Sequence, residues 1–177
     1  IHFVSGSNCT IGLPLALMGS ATAVEVTGSR MLKLTDVLSG TGGISKSGSG
    51  TAALSQASTF SGATTVNAGT LLLTGSLANS GVVVNAGLLT GGGRARSLTV
   101  NGGTVAPGAG LGTFTVSAGA TFSGGTLEIQ LQSVSSVDQL RVTGGEVVLG
   151  GRLALSVGTG FHPDADDVIA LVNNTGT

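Results

Sequence analysis

A short strand motif that recurs along the middle of the chain constrains the fold more than any other feature. In each copy, alternating apolar positions precede Asn or Ser, a small residue and Gly. The Asn or Ser positions are 67, 85, 101 and 117, which gives steps of 18, 16 and 16 residues. The four copies occupy residues 64–71, 82–89, 98–105 and 114–120. A strand motif that returns at a nearly constant period is typical of a stacked repeat fold.

The alternation within the motif predicts which side chains point inward. Alternate residues of a strand share one face, so the four copies should contribute two buried columns. One column would be Val66, Val84, Val100 and Val116, and the other Thr64, Val82, Leu98 and Phe114. The Asn and Gly at the end of each copy suit a bend, because Gly adopts positive φ freely and Asn tolerates the left-handed conformation. Each period is therefore predicted to hold two or three short strands.

Strands joined by such bends pair with their counterparts in the next coil, in parallel, about 4.8 Å away. We therefore predict an all-β fold, a right-handed parallel β-helix, with essentially no α-helix. The right hand is expected from the strong preference of parallel crossovers for that hand. Roughly ten coils would give a rod on the order of 45–50 Å long.

The asparagines of the motif invite a second prediction. Asn67, Asn85 and Asn101 should lie above one another and could form a ladder of hydrogen-bonded amides. Alternatively, Asn merely suits the bend, and the two interpretations are compatible.

The pattern divides the chain into three parts. Residues 1–37 are predicted to form early, irregular coils, and residues 38–123 the regular coils of 16–18 residues. Residues 124–177 carry eight of the fifteen charged residues, beginning at Glu128, and longer alternating strands. Since the open end of a stack can pair with another chain, this part is predicted to be a C-terminal cap or junction.

Composition excludes several classes of protein. Only 8% of residues are charged and the net charge is −1, which argues against nucleic-acid binding. Arg94 and Arg96 form the one close basic pair and are expected in a solvated loop.

No run of about 20 apolar residues is present, so the chain is not expected to span a membrane. The residues from Ile1 show no basic start followed by an apolar run, so the chain is expected to be a fragment or a processed product. Cys9 is alone and cannot form an internal disulfide.

The sequence offers little for catalysis or metal binding. A nucleophilic triad needs a histidine, and the two present are His2 and His162, with no Gly-x-Ser-x-Gly turn. Asp164, Asp166 and Asp167 could ligate Ca²⁺ by residue type, but the EF-hand spacing is absent and a solvated loop is favoured. We therefore predict no catalytic residue, no metal site and no cofactor, and a protein that is not an enzyme.

One stretch resembles a known family. Residues 40–51, Leu54-Ser55 and residues 60–71 closely resemble the passenger-associated transport repeat of bacterial autotransporters, which are secreted by the type V route. The sequence departs from the repeat at Ala52-Ala53, where larger or hydroxylated residues are usual. Further segments resemble the region downstream of the repeat and the C-terminal part of such passengers: residues 105–108, 112–116, 138–144, 160–163 and 167–169.

The resemblance implies a β-helical stalk at the cell surface, or secreted, in a Gram-negative bacterium. Its partner would be the protein's own C-terminal outer-membrane barrel, which is not in this chain. The resemblance also implies that C-terminal coils fold first outside the cell and template the others. One alternative is an adhesin that binds host or sibling-cell surfaces through its Thr-, Ser- and Asn-rich faces. A further alternative is a stalk behind an upstream protease or esterase domain.

Overall fold

The regular elements of the chain are short β-strands. The computed structural model describes residues 1–3 and 7–176, and the side chains of His2 and Phe3 lie outside what it describes. In chain order the strands are β1 (His2–Phe3), β2 (Cys9–Ile11), β3 (Leu15–Leu17), β4 (Ala21–Val26), β5 (Met31–Leu34), β6 (Leu38–Gly40), β7 (Gly43–Ser47), β8 (Thr51–Leu54), β9 (Ala57–Ser58), β10 (Thr64–Val66), β11 (Thr70–Leu73), β12 (Ser76–Leu77), β13 (Val82–Val84), β14 (Leu88–Gly91), β15 (Arg94–Ala95), β16 (Leu98–Val100), β17 (Thr104–Pro107), β18 (Thr113–Val116), β19 (Ala120–Phe122), β20 (Thr126–Leu131), β21 (Gln139–Val142), β22 (Val147–Leu149), β23 (Arg152–Val157) and β24 (Val172–Asn174).

Successive strands go to three different faces of the molecule. The first sheet has the order β1-β4-β7-β10-β13-β16-β19-β22, and the second β2-β5-β8-β11-β14-β17-β20-β23. The third face holds the pair β3-β6 and a sheet of order β9-β12-β15-β18-β21-β24. The strands pair in parallel with their counterparts in the adjoining coils. This arrangement is a parallel β-helix and confirms the predicted fold class.

The stack is shallower than the motif period predicts. The first and second sheets each have eight strands, which corresponds to about seven turns rather than ten. The reason is that several coils are longer than the motif period. Leu98 pairs with Ala120, 22 positions later, and Ala120 pairs with Val147, 27 positions later. At about 4.8 Å a step, seven steps give a rod of roughly 34 Å.

The first three copies of the motif stack as predicted. Val66 pairs with Val84 and Val84 with Val100, so the valines form one column. All three are fully buried. Complete burial of an aliphatic side chain of this size contributes about 1.5–3 kcal/mol. The two inward columns of the first sheet therefore form a continuous part of the core.

The predicted place of the fourth copy is wrong. Phe114 and Val116 are fully buried, but they belong to β18 on the third face, where Val116 pairs with Ala95 and Val142. The residue that stacks after Val100 in the first sheet is Phe122. The physical reason is that one turn chemistry serves two corners. Asn-Ala-Gly after Val66 leads from the first sheet to the second, whereas Ser-Ala-Gly after Val116 leads from the third face to the first.

The last coil continues the inward columns and leaves them open to solvent. Leu149 stacks on Phe122, Leu153 on Leu127 and Leu155 on Ile129. The outer members of these pairs are 60%, 51% and 50% exposed, because no coil covers them among the described residues. Residues 124–177 therefore end the described stack in an apolar surface, and their role as a cap or junction stays a prediction.

Candidate functional site at the corner of the coils

The corner between the first and second sheets is built on a column of glycines. They have positive φ and recur once per coil: Gly28, Gly48, Gly69, Gly87, Gly103, Gly125 and Gly151. At Gly87, with φ of 76°, an added Cβ would lie 2.4 Å from the carbonyl oxygen of Gly69 in the coil below. None of the described non-glycine residues has positive φ. The asparagines beside this column therefore do not adopt the left-handed conformation, and the glycines alone supply it at this corner.

The asparagines at this corner form a ladder of amide hydrogen bonds. Asn101 Nδ2 donates to Asn85 Oδ1 at 2.9 Å, and Asn85 Nδ2 donates to Asn67 Oδ1 at 3.0 Å. The ladder ends on Asn67 Nδ2, which donates to Ser45 Oγ at 3.1 Å. Four consecutive coils are thus joined along an exposed edge, in addition to the backbone pairing of their strands.

The position of Asn85 within the ladder predicts a graded loss of stability. Asn85→Ala removes two hydrogen bonds and Asn101→Ala removes one. Since a hydrogen bond contributes about 0.5–1.5 kcal/mol net, we expect losses of roughly 1–3 and 0.5–1.5 kcal/mol. Urea denaturation of the two variants and the wild type measures both. Equal losses of stability in Asn85→Ala and Asn101→Ala would show that the ladder does not stabilise the fold.

A buried lysine completes the corner. Lys46 occupies the position of Val66 in the coil below, and its side chain is fully buried. Its Nζ donates to the carbonyl oxygens of Ser47 at 2.7 Å, Gly48 at 2.8 Å and Ala68 at 3.1 Å. The first two carbonyls belong to its own coil and the third to the next. All three donors of the ammonium are therefore used, and they join two successive coils.

The environment of Lys46 shifts its titration. Burial lowers the pKa of the ammonium from its ordinary value of 10.5, and the nearby Glu25 carboxylate opposes that shift. Sequence reasoning did not find this residue, because lysine is seldom fully buried. The available signal was the alignment of Ile44-Ser45-Lys46 with Thr64-Thr65-Val66, which places the lysine in an inward column.

The remaining buried polar groups are also satisfied within the fold. The Asp138 carboxylate accepts hydrogen bonds from the backbone N–H groups of Gly112 at 2.8 Å and Gln130 at 3.0 Å. In the core, Thr64 Oγ1 and Ser80 Oγ lie 3.1 Å apart, and Ser80 Oγ donates to the Gly62 carbonyl. Among the side chains that the structure describes, no buried N or O lacks a hydrogen-bond partner. These groups are accordingly structural.

The residues considered for chemistry lie at or near the surface, in the loop formed by residues 162–167 and at Arg94 and Arg96. His162, Asp164 and Asp166 are exposed, and Asp167 Oδ2 accepts from the backbone N–H of Asp164 at 2.9 Å within its own loop. Arg94 and Arg96 are exposed as well. Across the described residues, no three His, Cys, Asp or Glu side chains are grouped as metal ligands. The same part of the chain contains no helix long and apolar enough to cross a membrane.

Comparison with known families places the corner within a recognised repeat. The passenger-associated-transport-repeat family matches residues 44–73, which include Lys46, Asn67 and Gly69. Among curated proteins, none is similar to the chain. The matched repeat and the stacked parallel strands together fit a β-helix segment of an autotransporter passenger. Together, the repeat and the β-helix indicate a passenger stalk.

Proposed function

We propose that the chain is a β-helical stalk that supports the secretion, folding and surface display of an autotransporter passenger. The observation that carries the proposal is the continuous parallel stack around the matched repeat, in which each coil pairs with the coils beside it. In such a stack a folded coil presents a complete template to the next one. Adding a coil to this template avoids the cost of nucleating a new one, so folding can proceed along the rod.

The proposed partner is the protein's own C-terminal outer-membrane barrel. A passenger has to pass such a barrel as an unfolded chain before it stacks at the cell surface of a Gram-negative bacterium. Sparse charge, 8% of residues, and the single cysteine Cys9 suit that passage. The stalk alone contributes no catalysis in this proposal, so a protease or esterase would belong to another part of the polypeptide.

Export of a stability variant tests the proposal. The chain is fused between an export signal and an autotransporter barrel. On intact cells, the amount of chain at the surface and the fraction of it that resists protease are measured. We expect Gly87→Ala to reduce the folded fraction at the surface more than Gly19→Ala, whose added Cβ meets no atom within 4 Å. If a Gly87→Ala chain that is destabilised in solution were displayed and protease-resistant like the wild type, stacking would not support export.

A second candidate function is lateral binding of a host or sibling-cell surface. It is favoured by an outward column of hydroxyls on the second sheet, formed by Thr51 and Thr70 and continued beyond Leu88 by Thr104 and Thr126. Binding of the isolated chain to cells or glycan arrays tests this function. Loss of that binding in Thr70→Val and Thr104→Val would support it, and unchanged binding would exclude this face.

A further inference from the structure

The last asparagine of the amide ladder, Asn101, differs from the other two in the residue that follows it. Asn101 precedes Gly102, whereas Asn67 and Asn85 each precede an alanine. Asn101 is exposed, and among the described residues its Oδ1 accepts no hydrogen bond. Its side-chain carbonyl is therefore open to solvent, and the next backbone nitrogen has no Cβ to shield it. We propose that Asn101-Gly102 is a site of spontaneous backbone-directed deamidation, which the ladder restrains.

The reaction needs only the two residues and water. The Gly102 backbone nitrogen attacks Asn101 Cγ, the new N–Cγ bond closes a five-membered succinimide, and the Cγ–Nδ2 bond breaks. Ammonia leaves with the proton lost from the backbone nitrogen. Water then opens the ring at either carbonyl and gives aspartate or isoaspartate. At Asn67 and Asn85 the Cβ of the next alanine hinders the same attack.

The fold engages both reacting groups. The Gly102 N–H donates to the Val84 carbonyl at 3.2 Å, and Asn101 Nδ2 donates to Asn85 Oδ1 at 2.9 Å. Attack requires the first hydrogen bond to open and the side chain to leave the second. Asn85 is thus the residue that holds the leaving group in place, and it acts as a positioning residue for Asn101.

Modification would break the stack at a defined place. A carboxylate at position 101 would face Asn85 Oδ1, which is also an acceptor, so the rung between them would be lost. Isoaspartate also adds a carbon to the backbone between Cα of residue 101 and the Gly102 nitrogen, one residue before Gly103. There the corner has no spare room, because an added Cβ on Gly103 would lie 2.5 Å from the Gly87 carbonyl oxygen. The coils on either side of the β16–β17 corner would then lose their register.

Peptide mapping by mass spectrometry tests the proposal on the full chain, incubated folded in mildly alkaline buffer. In the wild type we expect aspartate and isoaspartate to accumulate at position 101 faster than at positions 67 and 85. Asn85→Ala should raise the rate at position 101 about fivefold, the factor that corresponds to a hydrogen bond of about 1 kcal/mol. The matched control is Asn67→Ala, which removes the rung that Asn101 does not touch and should leave the rate unchanged.

A gain-of-site variant completes the test. Ala86→Gly places a glycine after Asn85 and should make position 85 reactive in the same incubation. The proposal would be overturned if Asn85→Ala and Asn67→Ala changed the rate at position 101 equally. It would also be overturned if position 101 stayed unmodified in folded Asn85→Ala while the urea-denatured chain was converted there.

Discussion

Gly87→Ala is expected to lower the free energy of unfolding by roughly 2–5 kcal/mol. Two physical costs combine at this position. An L-residue with φ of 76° is in the left-handed region, at a cost of about 1–2 kcal/mol. The added Cβ also lies 2.4 Å from the carbonyl oxygen of Gly69, which is backbone and cannot turn away, and overpacking of this kind costs about 1–3 kcal/mol.

Gly19→Ala is the matched control for the contact. Gly19 has nearly the same conformation, with φ of 77°, but an added Cβ there has no atom within 4 Å. We expect a loss of about 1–2 kcal/mol from conformation alone. Urea denaturation followed by circular dichroism measures both variants. Equal losses would show that the Gly87 corner has room for a side chain, contrary to a tightly stacked glycine column.

Lys46→Ala is expected to cost roughly 3–5 kcal/mol. The substitution leaves a cavity in an inward column and removes the donors to three carbonyl oxygens. Lys46→Met restores most of the volume but none of the donors, so its loss should be smaller, about 1–3 kcal/mol. The exposed Lys33 supplies the control, and Lys33→Ala should change stability by less than about 0.5 kcal/mol. Urea denaturation measures all three variants, and similar effects at positions 46 and 33 would show that the hydrogen bonds of the buried Lys46 ammonium do not stabilise the fold.

The lowered pKa of Lys46 predicts a pH dependence. The folded chain releases this proton at lower pH than the unfolded chain, whose lysine titrates near 10.5. In the window between the two pKa values, the unfolded state binds more protons, so the free energy of unfolding rises with pH. Lys46→Met lacks this contribution. The stability of the wild type relative to Lys46→Met should therefore increase as the pH rises towards 10.5, and a decrease would show that the folded environment favours the ammonium.

The fold was predictable where local chemistry repeats. Thr64-Thr65-Val66 and its next two copies alternate inward and outward side chains, and each leads into a bend whose glycine has positive φ. Period, alternation and turn chemistry are local properties that the sequence displays directly. They were sufficient for the parallel pairing of these strands and for the Asn67–Asn85–Asn101 column.

The features that were predicted wrongly or not at all depend on how the coils pack in three dimensions. Val116 has the same local pattern of alternating apolar residues and a following turn as Val100, yet it belongs to the third face, because the length of the intervening loop decides which corner a turn serves. Lys46 is a charged residue of a type usually found at the surface, but it lies in the core. Only its register with Val66 reveals that it is buried. The contact between Gly87 and Gly69 joins residues 18 positions apart and depends on the stacking distance. No local pattern reports that distance.

Engineered disulfides report the register in which the coils stack. In a Cys9→Ser background, cysteines at outward positions of adjoining strands lie about 4.8 Å apart, within the range a disulfide spans. Thr99 pairs with Thr121 in the structure, whereas the motif period alone would pair it with Thr115. We predict that Thr99→Cys with Thr121→Cys crosslinks readily under mild oxidation and Thr99→Cys with Thr115→Cys does not. Preferential crosslinking of positions 99 and 115 would contradict the pairing of β16 with β19.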